Sequence, residues 1–360
     1  MRATVAKWLF PPMDRRLGLR VRGPSPRYWE KICAATIAGS LAKATQLLGV
    51  MSNLRVSPNP VQRQSEAMGT LIRRQEDEGR ESYRKGAGVK SSERKPKWLV
   101  ITTDGGRVQT RSPAAEGRGK ENKVGVIYTA EPMPEKVGEK YHGPTLQGRT
   151  CVATMRNWDT MADRLSWEAE RRNLRGAQEA VLIGDGGAGV QGVWQTAFPT
   201  IPFILDWAHA SEHVYACAGA AFRTDSQRKT GAKKQEQSLG EGRGREVQRE
   251  IARLSKKAGE PPPKAAESDP RLILKRNAAY FRENAPYRDY PTYQNKGWPI
   301  GSGIVESAVQ QFGKRVKGTE KFWSMAGAES TLALLSYFLS EDERWDRFWN
   351  HDLLRLRSAA

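Results

Sequence analysis

Trp98-Leu-Val-Ile-Thr-Thr-Asp104-Gly-Gly106 and Ala180-Val-Leu-Ile-Gly-Asp185-Gly-Gly187 are the two stretches that decide the fold. Each begins as a short apolar run of the kind a buried strand needs, and each breaks on Asp-Gly-Gly. Strand ends in open α/β sheets are where ligands bind. A Gly beside the Asp lets backbone and a bulky ligand approach closely. Asp-Gly is also ordinary turn chemistry after a strand, so either stretch alone says little. Two of them, each closing an apolar run, point to two carboxylates at one sheet edge.

Reading outward, Arg107–Arg111 and Lys123–Thr129 continue as strands, with Val124, Val126 and Tyr128 alternating in the second. Residues 151–173 read as a helix. Val190–Phe198 reads as a short helix stopped by Pro199, and Ile201–Leu205 as a fifth strand, followed by Asp206 and a helix through Phe222. The order β-β-β-α-β-α-β-α predicts an α/β fold: an RNase H-like mixed five-stranded sheet with flanking helices. Its first part spans 98–222. From Arg223 to Lys264 the chain has 12 basic and 6 acidic residues with no sustained apolar face, and it contains Pro261-Pro-Pro263. That predicts a basic, mostly helical insertion over 223–300. The segment 301–360 then holds a long helix opened by Gly301-Ser302-Gly303, and further helices after it.

The late helix supplies a third acid. Val305, Val309, Phe312 and Val316 form its apolar stripe, while Glu306, Gln310, Gly313 and Lys317 fall on another. Glu306 is therefore available to the sheet edge where Asp104 and Asp185 end. Lys314, Arg315 and Lys317 on the same helix suit phosphate contacts. Two acids on strands and one on a helix match a two-metal phosphoryl-transfer site. Mg²⁺ (or Mn²⁺) is the expected cofactor, because hard cations take carboxylate and phosphate oxygens.

Composition agrees with a polyanionic partner. The 360 residues include 59 Lys+Arg against 40 Asp+Glu, a net charge of +19. The first 100 hold 20 basic and 8 acidic residues, so most of the excess sits there. Within them, 1–27 is a basic segment of no recognisable period. Residues 28–78 read as a helical module of helix-turn-helix outline whose second helix carries Arg63, Arg73 and Arg74 for DNA, and 79–97 as a polar linker. With 38% hydrophobic residues and 11 Trp the chain is not wholly disordered. No run of about 18 apolar residues appears, so no membrane partner is expected. Three scattered Cys give no disulfide framework and no Cys-based zinc ribbon, which favours a reducing compartment. The N-terminal stretch has no long apolar region, so no secretory signal is expected.

Several stretches together resemble bacterial insertion-sequence transposases of the ISKra type: Thr103-Asp-Gly-Gly106, Leu182-Ile-Gly-Asp-Gly186, Phe203-Ile-Leu-Asp-Trp-Ala-His209 with Glu212-His213, and Pro299-Ile-Gly-Ser-Gly-Ile-Val-Glu-Ser307. Arg315-Val-Lys-Gly318, Phe322-Trp-Ser324 and Arg344-Trp-Asp-Arg-Phe-Trp349 extend the resemblance to about residues 95–350. That family is of the DDE type, Mutator-related, with an RNase H-like catalytic core. The resemblance implies a Mg²⁺-binding triad at Asp104, Asp185 and Glu306, and an acid-x-x-His pair at Asp206 and His209. It also implies strand cleavage at element ends and 3′-hydroxyl transfer into target DNA. The partners it implies are the terminal inverted repeats, target DNA, and further copies of the chain in a homodimer or larger assembly. The location it implies is the bacterial cytoplasm, at the nucleoid. The chain lacks the Cys-rich N-terminal ribbon that longer relatives often carry.

Three other readings compete, one of them a stand-alone structure-selective nuclease on the same fold. His209-Ala-Ser-Glu212-His213 fits a zinc-peptidase helix motif, but that leaves both Asp-Gly-Gly stretches and the basic charge unexplained. A catalytically inactive or domesticated transposase-derived protein would keep the basic surface without the reaction. Trp298, Trp323, Trp345 and Trp349 read as packing residues rather than base-stacking ones.

Overall fold

The computed structural model describes residues 25–112, 117–131, 145–318 and 321–353. The segment 1–27 lies almost wholly outside the described residues. Three helices come first: α1 (Pro26–Ile37), α2 (Leu41–Ser52) and α3 (Pro58–Arg84). Ser25 and Ser40 cap the first two, accepting from Tyr28 N and Lys43 N, and Pro opens α1 and α3. Then come β1 (Trp98–Gln109), β2 (Gly119–Glu131), β3 (Thr145–Thr154), α4 (Trp158–Arg171), β4 (Glu179–Gly184), α5 (Ala188–Ala197), β5 (Phe203–Leu205) and α6 (Trp207–Ala221). The stretch 223–300 holds α7 (Asp225–Gly240), α8 (Gly244–Ala258), α9 (Pro270–Glu283) and α10 (Tyr290–Asn295). The chain returns through α11 (Gly303–Val316), α12 (Met325–Leu339) and α13 (Arg344–Arg347).

The five strands form one sheet in the order β3-β2-β1-β4-β5. β2 runs antiparallel to both β1 and β3, whereas β1, β4 and β5 run parallel. This is the RNase H-like arrangement expected from the sequence. Two strand assignments differ in detail. Trp98–Thr103 and Arg107–Arg111 are largely one strand, because Asp104-Gly-Gly106 stays paired with β2. The third strand is β3, in a stretch partly read as helix. Its residues Gln147-Gly-Arg149 carry no apolar alternation; it is an edge strand paired with β2, its outer edge bonded to Ser340 and Glu341 just after α12.

Strand alternation divides the core. Leu99, Ile101, Ile127 and Leu182 face α4 and α5, where Met161, Leu165, Val190 and Val193 cover them. Val100, Val124, Val126, Val181, Ile183 and Ile204 face the other way, towards Val214 of α6, Val305 and Phe312 of α11, and Leu332 of α12. The insertion joins this second core. Val247 and Ile251 of α8 are buried, as are Phe281, Tyr290 and Trp298. The apolar stripe of α8 is only a few residues wide between charges, which is why the sequence shows no sustained face there.

The N-terminal helices pack on the sheet domain rather than apart from it. Cys33, Met68 and Ile72 share a core with Leu334, Tyr337, Phe348 and Trp349. At Gly69 a Cβ would lie 2.1 Å from the Ser330 carbonyl oxygen, so α3 and α12 cross closely only because the residue is Gly. The stretch 79–97 starts as the last turn of α3, and Ser91 and Ser92 then bond to the carbonyls of Glu170 and Arg171. Among the described residues no helix is long and apolar enough to cross a membrane.

Candidate active site

The register of the sheet sets the acids in a row. β1 pairs with β4 from Trp98↔Glu179 to Thr102↔Ile183, an offset of 179 − 98 = 81. Asp104 and Asp185 have the same offset, 185 − 104 = 81, so the register carried two residues further places them side by side. β4 pairs with β5 as Leu182↔Phe203 through Gly184↔Leu205, an offset of 203 − 182 = 21, and 206 − 185 = 21 again. The Asp206 N–H donates to the Gly184 carbonyl at 2.8 Å, so the ladder continues to that point. Three aspartates thus follow one row across neighbouring parallel strands, which lie about 4.8 Å apart. By alternation they share the face of Val100, Ile183 and Ile204, on which α11 packs.

Asp104 and Asp185 line one open cleft of about 600 Å³ together with Gly105, Glu121 and Trp158. The Asp104 carboxylate accepts from Gly105 N at 2.6 Å, and Asp185 from Gly187 N at 2.8 Å. Gly186 sits at φ +78°, the left-handed region, and lets the chain turn sharply from Asp185 into α5.

Glu306 stands one turn into α11, 3.4 Å from the Ser302 hydroxyl that donates to it. Ligand atoms of Asp206, His209 and Glu306 all lie within 4.8 Å of one another. Asp206 is fully buried and caps α6, accepting from His209 N at 2.9 Å and facing His209 Nδ1 at 3.2 Å. Its other oxygen accepts from Ser302 N, and Trp207 N donates to the Ile300 carbonyl at 2.9 Å. These bonds fasten the start of the Glu306 helix to the end of β5.

The electrostatics separate the acids. Burial raises the Asp104 carboxyl above its ordinary value; the Gly105 N–H and His209 oppose that, and the charges of Asp185 and Glu306 reinforce it. Burial also pushes Asp206 up, but the hydrogen bonds from His209 and Ser302 outweigh it and hold its carboxyl low. His209 is raised to about 9, first by its bond to Asp206, against burial, with help from the charges of Asp206, Asp185 and Glu212. Among the described residues no Lys or Arg forms an ion pair with Asp104, Asp185 or Glu306. Carboxylates crowded together in an open cleft, with His209 but no Lys or Arg paired to them among the described residues, are a donor set that fits a hard divalent cation.

The insertion supports this site, which sequence reasoning missed. Tyr280 of α9 donates its hydroxyl to the Asp185 carbonyl at 3.0 Å. Its ring stacks on His213, with centroids 3.7 Å apart, and His213 Nδ1 is 2.6 Å from Asn277 Oδ1. Asn284 Oδ1 accepts from Gln191 of α5 at 2.7 Å and lies against Gly186. His213 is thus a half-buried supporting residue, its basicity lowered first by burial. It does not join His209 as a zinc pair. An aromatic in a basic insertion gives no sequence signal for this role.

The expected DNA-contacting residues divide into two groups. Arg63, Arg74, Lys314 and Lys317 are exposed, Arg74 pairing with Glu78 at 2.8 Å. Arg73 and Arg315 are buried and their guanidinium groups are used internally, which corrects the sequence reading. Arg73 pairs with Glu76 at 2.5 Å and Glu329 at 3.1 Å. Arg315 donates to the Thr36 carbonyl at 2.5 Å and lies over the Trp323 ring at 4.8 Å. Trp298, Trp323 and Trp349 are inside or partly inside the packing, as read.

No protein-family model matches this chain, and no curated protein matches it. Among solved structures it is similar to the Drosophila P element transposase strand transfer complex. The identity is 10% and the TM-score 0.38, over 90% of this chain and 94% of that one. The fold assignment stands on the strand order and polarity described above.

Proposed function

We propose that this chain is a DDE-type DNA transposase of the ISKra kind, a bacterial insertion-sequence enzyme acting through two-metal phosphoryl transfer. The observation that carries the reading is the acidic row of Asp104, Asp185 and Asp206 with Glu306 clipped beside it. The motifs around those residues in the sequence support the same reading.

Asp104, Asp185 and Glu306 would hold Mg²⁺ or Mn²⁺. When bound, such ions supply Lewis-acid charge to the phosphate oxygens and lower the pKa of a bound water. Asp206 acts as a positioning residue, since its carboxylate already accepts from His209 and Ser302. His209, held as an imidazolium, offers Nε2–H to a phosphate oxygen. A cation held beside it would remove part of the negative field that keeps it protonated. In the first step water attacks the phosphodiester at an element end, leaving a 3′-hydroxyl and a 5′-phosphate. In the second that 3′-hydroxyl attacks a target phosphodiester and displaces the target's own 3′-hydroxyl. Both are in-line displacements at phosphorus, so one site serves both. Arg63, Arg74, Lys314 and Lys317 hold the duplex by its phosphates. Joining two ends to one target calls for at least two copies of the chain, working in the bacterial cytoplasm at the nucleoid.

The test uses the purified chain and duplex DNA carrying the inverted repeats that flank its gene. The expected result is nicked and joined product with Mg²⁺ or Mn²⁺ and none with EDTA. Binding without cleavage under every divalent condition would instead identify a non-catalytic, transposase-derived DNA-binding protein.

A further inference from the structure

The insertion carries a second cleft, of about 910 Å³, between the start of α8 and the start of α10. Three guanidinium groups line it, those of Arg245, Arg249 and Arg288, against one carboxylate, Asp289. Asp289 already accepts from the Thr292 hydroxyl at 2.8 Å. Arg288 is only 4% exposed. It donates to the Phe281 carbonyl at 2.8 Å and to Gln248 Oε1 at 2.7 Å, both neutral acceptors. Among the described residues no carboxylate pairs with it. A buried cation without a counter-charge is costly, and an anion in the cleft offsets that cost.

The arginines along α8 differ in the same way. Arg243 pairs with Glu241 at 2.5 Å, and Arg253 with Glu250 at 2.7 Å. Arg245 and Arg249 are exposed and one turn apart, with no carboxylate partner among the described residues. Lys256 falls on the same stripe eleven residues after Arg245. The stripe therefore runs about 16 Å along the helix, longer than a single small anion requires.

We infer that this cleft and the α8 stripe form a binding site for a DNA phosphodiester backbone leaving the active site. The inference deepens the proposed function and rests on it for the nature of the strand. Its position agrees: Asn284 lies against Gly186 beside Asp185, and Arg288 follows four residues later, at most about 14 Å along the chain. A strand with one phosphate per about 3.4 Å reaches from Asp185 to the cleft within a few nucleotides. Planar guanidinium forks suit phosphate oxygens bidentately.

The test compares the parent with Arg245→Ala/Arg249→Ala, two exposed positions, with thermal unfolding confirming an unchanged fold. Fluorescence anisotropy on labelled duplex DNA is read across a range of salt. The expected result is a slope of log Kd against log salt shallower by about 1.8, the loss of two phosphate contacts. Arg243→Ala/Arg253→Ala, which removes charges already paired, should keep the parent slope. An unchanged slope in the first variant overturns the site. So does an equal loss in the second, which would make net charge the cause. A third arm adds inorganic phosphate at matched ionic strength. Displacement of DNA from the parent beyond the chloride control would make the cleft a free-phosphate pocket and overturn the inference. Failure of the transposase reading looks different: the parent binds with its full slope, the variant loses its share, and no cleavage occurs.

Discussion

Two clusters of charge sit about the same sheet and behave in opposite ways. At the ends of β1, β4 and β5, Asp104, Asp185, Asp206 and Glu306 gather with one histidine. At the β3 edge, α3, α4 and the C-terminal helices meet through Arg73, Glu76, Arg164 and Glu329, and through Arg344, Glu168 and Asp342. There every acid has a guanidinium: Glu329 pairs with Arg164 at 2.9 Å, and Arg344 with Glu168 at 2.6 Å and Asp342 at 2.7 Å. Burial pushes the carboxyls of Glu168, Glu329 and Asp342 up, yet the arginines bring all three below their ordinary values. Asp104, raised first by burial and then by its acidic neighbours, with no arginine to offset them, ends above its own. Balanced charge holds the N-terminal helices to the core; unbalanced charge is what a cation site needs.

The largest expected effect breaks the first cluster. Asp104→Asn should lower metal-dependent cleavage by about a thousandfold or more, since an in-line displacement loses part of its charge clamp. Its thermal unfolding, measured without metal, should stay level or rise, because a repelled charge has been removed. A clear loss of stability would show that Asp104 is part of the scaffold.

Breaking the second cluster should do the reverse. Glu329→Ala strips a partner from Arg73 and Arg164, and removes the acceptor of Met155 N at 2.7 Å. Denaturant unfolding should show a loss of about 3–5 kcal/mol, the usual cost of orphaning a buried charge. A loss within a few tenths of a kcal/mol would mean that the network is solvated.

Acid sharpens the contrast. Asp342, Glu168 and Glu329 have lowered values in the folded state, so their stabilisation is present above the ordinary carboxylate range. It is lost as pH falls through their folded values. Asp104 has the opposite sign: its raised value makes the folded state gain stability as pH falls through it. Asp342→Asn should therefore be less stable than the parent at neutral pH. The gap should narrow steadily as urea unfolding is repeated from about pH 5 to pH 2, without closing fully, because the arginines hold the Asp342 carboxyl well below the ordinary carboxylate range. A gap constant with pH would assign the loss to packing.

The smallest effect tests the support from the insertion. Tyr280→Phe keeps the stack on His213 and loses the bond to the Asp185 carbonyl. The cleavage rate at saturating DNA should fall several-fold, in line with about 0.5–1.5 kcal/mol for one hydrogen bond. The Kd for DNA should not move. A matching fall in affinity would place Tyr280 against the nucleic acid instead.

How much of this was legible follows from which signals are local. An apolar run broken by Asp-Gly-Gly is local, so Asp104 and Asp185 could be read, and with them the parallel strands that carry them. Glu306 was readable from the stripe of its helix. Asp206 could be read too, as the residue ending the strand next to that of Asp185; its exact register with Asp185 could not, because register is a property of paired strands and a sequence shows only one strand at a time. β3 was missed because an edge strand through Gly148 and Arg149 need not alternate. Arg73 and Arg315 were misread for a similar reason. An arginine aimed at water and one aimed at Glu329 or at the Thr36 carbonyl look alike when the partner is more than 250 residues away.

On the proposed function the acidic row does chemistry while dispersed basic residues do binding. Asp185→Asn tests it most directly, with binding and cleavage of the same repeat-bearing duplex measured side by side in Mn²⁺. The substitution keeps the side chain's size, and its amide oxygen can still accept from Gly187 N. The expected result is a binding curve equal to the parent's or slightly tighter, since one anion has left a protein of net charge +19, while the cleaved product disappears. Cleavage at the parent's rate would contradict it and make Asp185 a turn residue.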